Sequence, residues 1–110
     1  MTQIASIAHA PTTHASRYLQ QLSKHWEHSL AVTFDAEHSE ILFPHDVRGA
    51  SWAGDAKVVF DAAPGHLVIR IVASEPAQLE SLQQTVANHV DRFAFREAPL
   101  SYPWEPLTNS

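Results

Sequence analysis

With 110 residues, no cysteine and 3 glycines, the chain is long enough to bury one core unaided, and it offers neither disulfides nor a thiolate nucleophile or ligand. Its 12 acidic residues outnumber the 7 basic ones for a net charge of −5, and the basic residues are scattered, which argues against nucleic acid as a partner. No apolar run approaches membrane-spanning length and the first basic residue is Arg17, so no membrane partner and no secretory leader is expected, and the cytoplasm is the default location.

Residues 2–8 alternate weakly and predict an edge strand or an extended arm, stopped by Pro11-Thr12-Thr13. Thr12 or Thr13 supplies a hydroxyl cap for a first helix running to about His28. Ala15, Tyr18, Leu19, Leu22 and Trp26 recur at helical spacing and form its core face, while Arg17, Gln21, Lys24 and His28 point to solvent. Leu30, Val32 and Phe34, followed by Ile41 and Phe43 beyond Asp35-Ala36-Glu37-His38-Ser39, predict a hairpin whose turn is capped by Asp35 and His38.

Pro44 to Asp55 is the longest irregular connection, and its Trp52 is expected to fold back onto the domain. Val58 and Phe60, then Leu67, Ile69 and Ile71 across Pro64-Gly65, predict a second hairpin. Ser74-Glu75-Pro76 starts a second helix with a hydroxyl cap, an acid for the dipole and a proline where no N–H partner is missed. Its stripe is Leu79, Leu82, Val86, Val90 and Phe93, and it ends near Phe95. Leu100, Tyr102 and Trp104 then alternate among prolines as an edge strand or surface-hugging arm, with Trp104 expected to cover Phe95.

The order is (β)αββββα(β). It predicts one domain over residues 1–110, with a core at about 14–97, an N-terminal arm at 1–12 and a C-terminal arm at 98–110. The fold class is α+β: a two-layer domain in which an antiparallel sheet of four or five strands carries two helices on one face, TBP-like or helix-grip-like by analogy. Such folds do not dictate function, so any function must come from a site.

The candidate site is histidine. His89 lies within the second helix's stripe between Val86 and Phe93, His25 flanks the first helix's stripe beside Tyr18, and His28 lies further out. A half-buried imidazole needs a partner. His89 either satisfies a backbone carbonyl or Tyr18, or faces His25 across the helices as a ligand or acid–base pair. His25, His28 and His89 are the candidate metal ligands, with His14 on the same flank; imidazole suits zinc, nickel, copper or iron, although the i, i+3 spacing of His25 and His28 is weaker than i, i+4 and no cofactor is required. Arg92 either pairs with a carboxylate and caps helix-end carbonyls, or orients an anionic ligand. No catalytic residue emerges, because the chain has no nucleophile constellation, glycine-rich phosphate loop or paired-acid motif, and Ser23 beside His25 reads as a packing residue. Protonating all 8 histidines would carry the net charge from −5 to +3, so solubility and self-association should respond to mild acid.

Arg17-Tyr18-Leu19 through Lys24-His25-Trp26-x-His28, paired with His89-x-Asp91-Arg92-Phe93-Ala94-Phe95-Arg96-Glu97, resembles the bacterial "domain of unknown function 2218" family over about residues 14–97. Val32-x-Phe34-Asp35 and Ile41-x-Phe43 fit that family's first hairpin. The resemblance implies a small stand-alone protein, or an extra domain attached to a siderophore-interacting, flavin-dependent ferric reductase, and it implies no reaction. The resemblance implies that many relatives carry cysteine where this chain has Ser23, and near Ala56; a thiol or metal site built on those cysteines could not form here, whereas a shared function resting on histidine and arginine would survive.

Three readings stand side by side. The leading one is an accessory or small-ligand-binding domain linked to iron and siderophore handling, with Tyr18, His25, His89 and Arg92 as candidate binding residues. A siderophore-interacting ferric reductase or a second copy in a homodimer is its expected partner. The second is a metal-dependent or acid–base enzyme using His25 and His89. The third is a purely structural homo-oligomeric interaction module.

Overall fold

A computed structural model of the chain describes residues 4–47 and 50–107. The elements are β1 (Ile4–Pro11), α1 (Ala15–Trp26), β2 (Ala31–Phe34), β3 (His38–Phe43), β4 (Asp46–Val47), β5 (Ala50–Ser51), β6 (Ala56–Ala63), β7 (His66–Ala73), α2 (Pro76–Phe93) and β8 (Glu105–Leu107). Six strands form one sheet in the order β2-β3-β6-β7-β1-β8, every neighbouring pair antiparallel, and β4 pairs with β5 in a separate ribbon. Both helices lie on one face of the sheet, an α+β architecture with more strands than the four or five expected.

The extra breadth comes from the two ends of the chain. β1 is not an edge: it lies between β7 and β8. Its core-facing residues are Ser6, Ala8 and Ala10, the alanines fully buried opposite Ile69 and Leu67. Small side chains give a weak hydrophobic alternation in sequence, yet they suit an interior strand on which a helix must settle closely. The final strand begins only at Glu105, beyond the Leu100–Trp104 alternation, and it occupies the sheet edge beside β1. Trp104 stacks on Tyr102, with ring centroids 6.4 Å apart, and Phe95 stays 71% exposed instead of being covered by it.

The helices follow the predicted stripes. Leu19 and Leu22 of α1, and Val86 and Val90 of α2, are fully buried against Ile41, Val58, Phe60, Ile69 and Ile71 of the sheet. The Trp26 ring lies parallel to Phe60, with centroids 6.1 Å apart, and edge-on to Phe43 at 5.5 Å. Ser23 is a packing residue: its hydroxyl donates to the Leu19 carbonyl at 2.7 Å and shares a 2.6 Å hydrogen bond with Ser39 of β3. Gly65, at φ 77°, turns β6 into β7 in the left-handed region that glycine adopts freely.

Caps differ from expectation in detail. His14 takes the N-cap position of α1, and Thr12 Oγ1 accepts a hydrogen bond from its backbone N–H at 3.1 Å. The α2 N-cap is Glu75, with Pro76 next, whereas Ser74 turns to Gln78.

Among the described residues no helix packs on the outer face of the sheet, and a charge network crosses it. Asp35 caps the β2–β3 turn, accepting from the N–H groups of Glu37 and His38 at 2.8 and 2.9 Å, which lowers its carboxyl pKa. The His38 side chain is not part of that cap. Its Nδ1 lies 2.6 Å from Asp61 and its Nε2 3.0 Å from Glu40, which also pairs with Lys57 at 3.2 Å. The hydrogen bond to Asp61, then that to Glu40, raises the His38 pKa above 6.5; the bonds from His38, then Lys57, hold Glu40 below 4.5.

The raised imidazole contributes stability present below pH 6.5 and lost as pH rises through its folded value. The lowered Glu40 contributes stability present above pH 4.5 and lost as pH falls through its folded value. The network is therefore strongest between these two values. These side chains are 42–44% exposed, so solvent screening keeps the effect small. The thermal midpoint is expected to fall slightly between pH 6 and pH 8, and His38→Gln should flatten that slope; an unchanged slope would assign it to other groups.

Candidate functional site

Contacts between the helices run in opposite order along them: Trp26 near the end of α1 meets His89, while Tyr18 near its start meets Glu97 just beyond α2. α1 stops at Trp26, whose carbonyl accepts from the N–H groups of Ser29 and Leu30 at 3.0 and 2.8 Å. Beyond that stop the helix no longer covers the sheet. A cavity of about 470 Å³ opens there, walled by Trp26, Phe43, Trp52 and Leu82, with Gln78 and His89 contributing polar groups. Among the described residues, no lysine, arginine, aspartate or glutamate lines it.

The Trp52 wall is held in place by the first turn of α2. Gln78 is 1% exposed; its Oε1 accepts from the Ser74 N–H at 2.7 Å and the Ser74 hydroxyl at 2.6 Å, and its Nε2 donates to the Gly54 carbonyl at 2.9 Å. The Ala53 N–H donates to Glu75 at 3.0 Å, the Trp52 N–H to the His45 carbonyl at 2.7 Å, and the His45 N–H to Asp55 at 2.8 Å. These bonds tie the long connection at both of its ends. Gln78 was absent from the sequence candidates, although its signal was present: it sits four residues before Leu82, on the apolar stripe, where a polar side chain must find partners.

His89 presents defined chemistry. Its Nδ1 lies 2.7 Å from the Thr85 carbonyl, and a carbonyl can only accept, so Nδ1 carries the proton and Nε2 the lone pair of the neutral ring. The ring is 4.9 Å from Trp26 and 5.4 Å from His25, centroid to centroid. His25 is also 5.7 Å from Phe93. A second, more open hollow of about 420 Å³ is lined by His25, Asn88, His89 and Arg92, so His89 borders both spaces.

The remaining candidates lie elsewhere. Tyr18 is buried and donates its hydroxyl to Glu97, which also accepts from Thr12 at 3.0 and 3.1 Å. Burial foremost, then the Glu97 carboxylate, raises the Tyr18 phenol pKa. This cluster fastens the segment after α2 to the start of α1 and borders neither cavity. His28 is exposed beyond α1 and lines neither space. Among the described residues no group of three His, Asp or Glu side chains is placed to hold a metal ion. The structure thus brings together His25, His89 and Arg92, and sets Tyr18 and His28 apart.

The sequence profile of the "domain of unknown function 2218" family, described as an uncharacterised protein conserved in bacteria, matches residues 7–105. The NMR structure of PA4090 from Pseudomonas aeruginosa is similar to this chain with a TM-score of 0.72 and 27% identity, covering 96% of this chain and 99% of that one. No curated protein matches.

Proposed function

The chain belongs to the bacterial "domain of unknown function 2218" family, and from that premise we propose that it is a small-ligand-binding accessory domain whose ligand carries a hydroxylated aromatic ring. The cavity beside His89 carries the reading. A site of about 150 Å³ can hold benzene, so 470 Å³ accommodates a substituted ring. Trp26, Phe43 and Trp52 offer ring faces and edges for offset or edge-on contact. His89 Nε2 offers an acceptor for a phenolic hydroxyl, and the described lining, apolar and aromatic with few polar groups, favours the ring itself in this cavity.

The attachment to siderophore-interacting ferric reductases that the family resemblance implies makes catechol, an iron-chelating ring, the first ligand to test. It also supports a ferric reductase as the protein partner. Calorimetric titration is expected to detect catechol binding, with cyclohexanol binding more weakly because it cannot stack. His89→Ala should weaken catechol binding about tenfold, the equivalent of one hydrogen bond of about 1.4 kcal/mol. Absence of catechol binding at millimolar concentration, or equal affinity in His89→Ala, would sink this reading.

A further inference from the structure

We propose that the ligand also carries a carboxylate, received by Arg92 in the second hollow, so that the full ligand is an aryl acid with its ring in the cavity beside Trp26. This rests on the aromatic-binding reading above and adds to it a charge and a length.

The placement follows from helix geometry. Asn88 and Arg92 are i, i+4 on α2, and His89 and Arg92 are i, i+3, so the three side chains form one patch. Long side chains on a helix lean toward its N-terminus, which directs the Arg92 guanidinium back toward His89 and the cavity. All three, with His25, line the same hollow.

Neighbouring acids do not neutralise that guanidinium. Asp91 accepts from the Leu100 N–H and the Tyr102 hydroxyl, and Glu97 is taken by Tyr18 and Thr12. Among the described residues, Arg92 has no carboxylate within ion-pair distance. A planar fork of donors beside the Asn88 amide matches a carboxylate, which can accept two parallel N–H bonds. A chain of net charge −5 repels anions at long range, so attraction here must come from this local cluster rather than from the overall field.

The two subsites also set a length. Thr85, lining the first cavity, and Arg92, lining the second, are seven residues apart on one helix, a rise of about 10 Å. Arg92 spans part of that distance itself. A short flexible spacer between ring and carboxylate would bridge the remainder.

Calorimetry with meta-hydroxyphenylpropanoate, whose hydroxyl and side chain lie toward the same side of the ring, and its neutral primary amide tests this. The acid is expected to bind about tenfold tighter than the amide; Arg92→Gln should remove that preference while leaving amide affinity unchanged, and Arg92→Lys should restore part of it. Equal binding of acid and amide, or equal weakening of both by Arg92→Gln, overturns the acid subsite, with His89-dependent catechol binding remaining as a separate result. If catechol, acid and amide all fail to bind, both the subsite and the aromatic-binding reading fall.

Discussion

Phe60→Ala is expected to destabilise the protein by about 3–5 kcal/mol, measured as the shift in urea unfolding. Phe60 is fully buried on the inner face of β6, with Ser39 and Ile69 as its cross-strand neighbours. Its ring lies parallel to that of Trp26, 6.1 Å centroid to centroid and 11° between planes. Truncation removes transferred apolar surface and leaves a void between sheet and α1 that the rigid Trp26 ring fills poorly. A domain of this size holds about 5–15 kcal/mol in total, so the variant would lose a large fraction of its stability. The loss should also reach the cavity beside His89, because Phe60 backs the Trp26 wall. A measured loss below about 1 kcal/mol would mean that the core repacks around the gap and that Trp26 is not fixed by Phe60.

The parts of the fold legible in sequence were those with strong periodicity. Leu19, Leu22 and Trp26 at helical spacing, and Leu67, Ile69 and Ile71 at alternating spacing, must each bury one face, and they do. Ala8 and Ala10 contribute little hydrophobic signal, so the local pattern predicts an edge strand or arm for β1, although they lie as deep as any residue. Its rank in the sheet depends on pairing with residues some sixty positions away, which no local pattern encodes.

The site divided in the same way. A helical wheel could place His25 and His89 near their apolar stripes, but whether the rings meet depends on the crossing of α1 and α2. The helical wheel places Tyr18 on the His25 flank as a partner for His89, yet its hydroxyl is claimed by Glu97 from beyond the end of α2. Trp52 was expected to fold back, and its destination depended on Gln78 and Ser74 fastening Gly54. Helical spacing places Gln78 on the apolar stripe, but which distant backbone group it fastens leaves no periodic trace.

Asp91→Ala is expected to cost about 2–3 kcal/mol and to loosen the C-terminal segment first. A single carboxylate oxygen, Asp91 Oδ1, accepts from the Leu100 N–H at 3.1 Å and from the Tyr102 hydroxyl at 2.7 Å. Burial foremost, and then Asp91, pushes the Tyr102 phenol far above its ordinary range, so it remains a donor at every working pH. Alanine would leave that partly buried hydroxyl with only a long 3.4 Å contact to the Ala87 carbonyl, and an unsatisfied buried donor costs about 1–3 kcal/mol. The loss of the Leu100 bond adds to it.

β8 is three residues long and follows this anchor, pairing Leu107 with Ala5 and Glu105 with Ile7, so it has few contacts of its own to resist opening. Hydrogen exchange is expected to accelerate at the β8 amides and along the β1 edge they cover, while β6 and β7 remain protected. Uncovering β1 would expose a strand edge, which makes added self-association at high concentration a further consequence. Asp91 and His89 are two positions apart and project to nearly opposite sides of α2, so catechol affinity should remain at the wild-type level in the variant. Wild-type exchange at β8 would show that strand pairing alone holds the tail; loss of catechol binding would show that the tail and the cavity are coupled through α2.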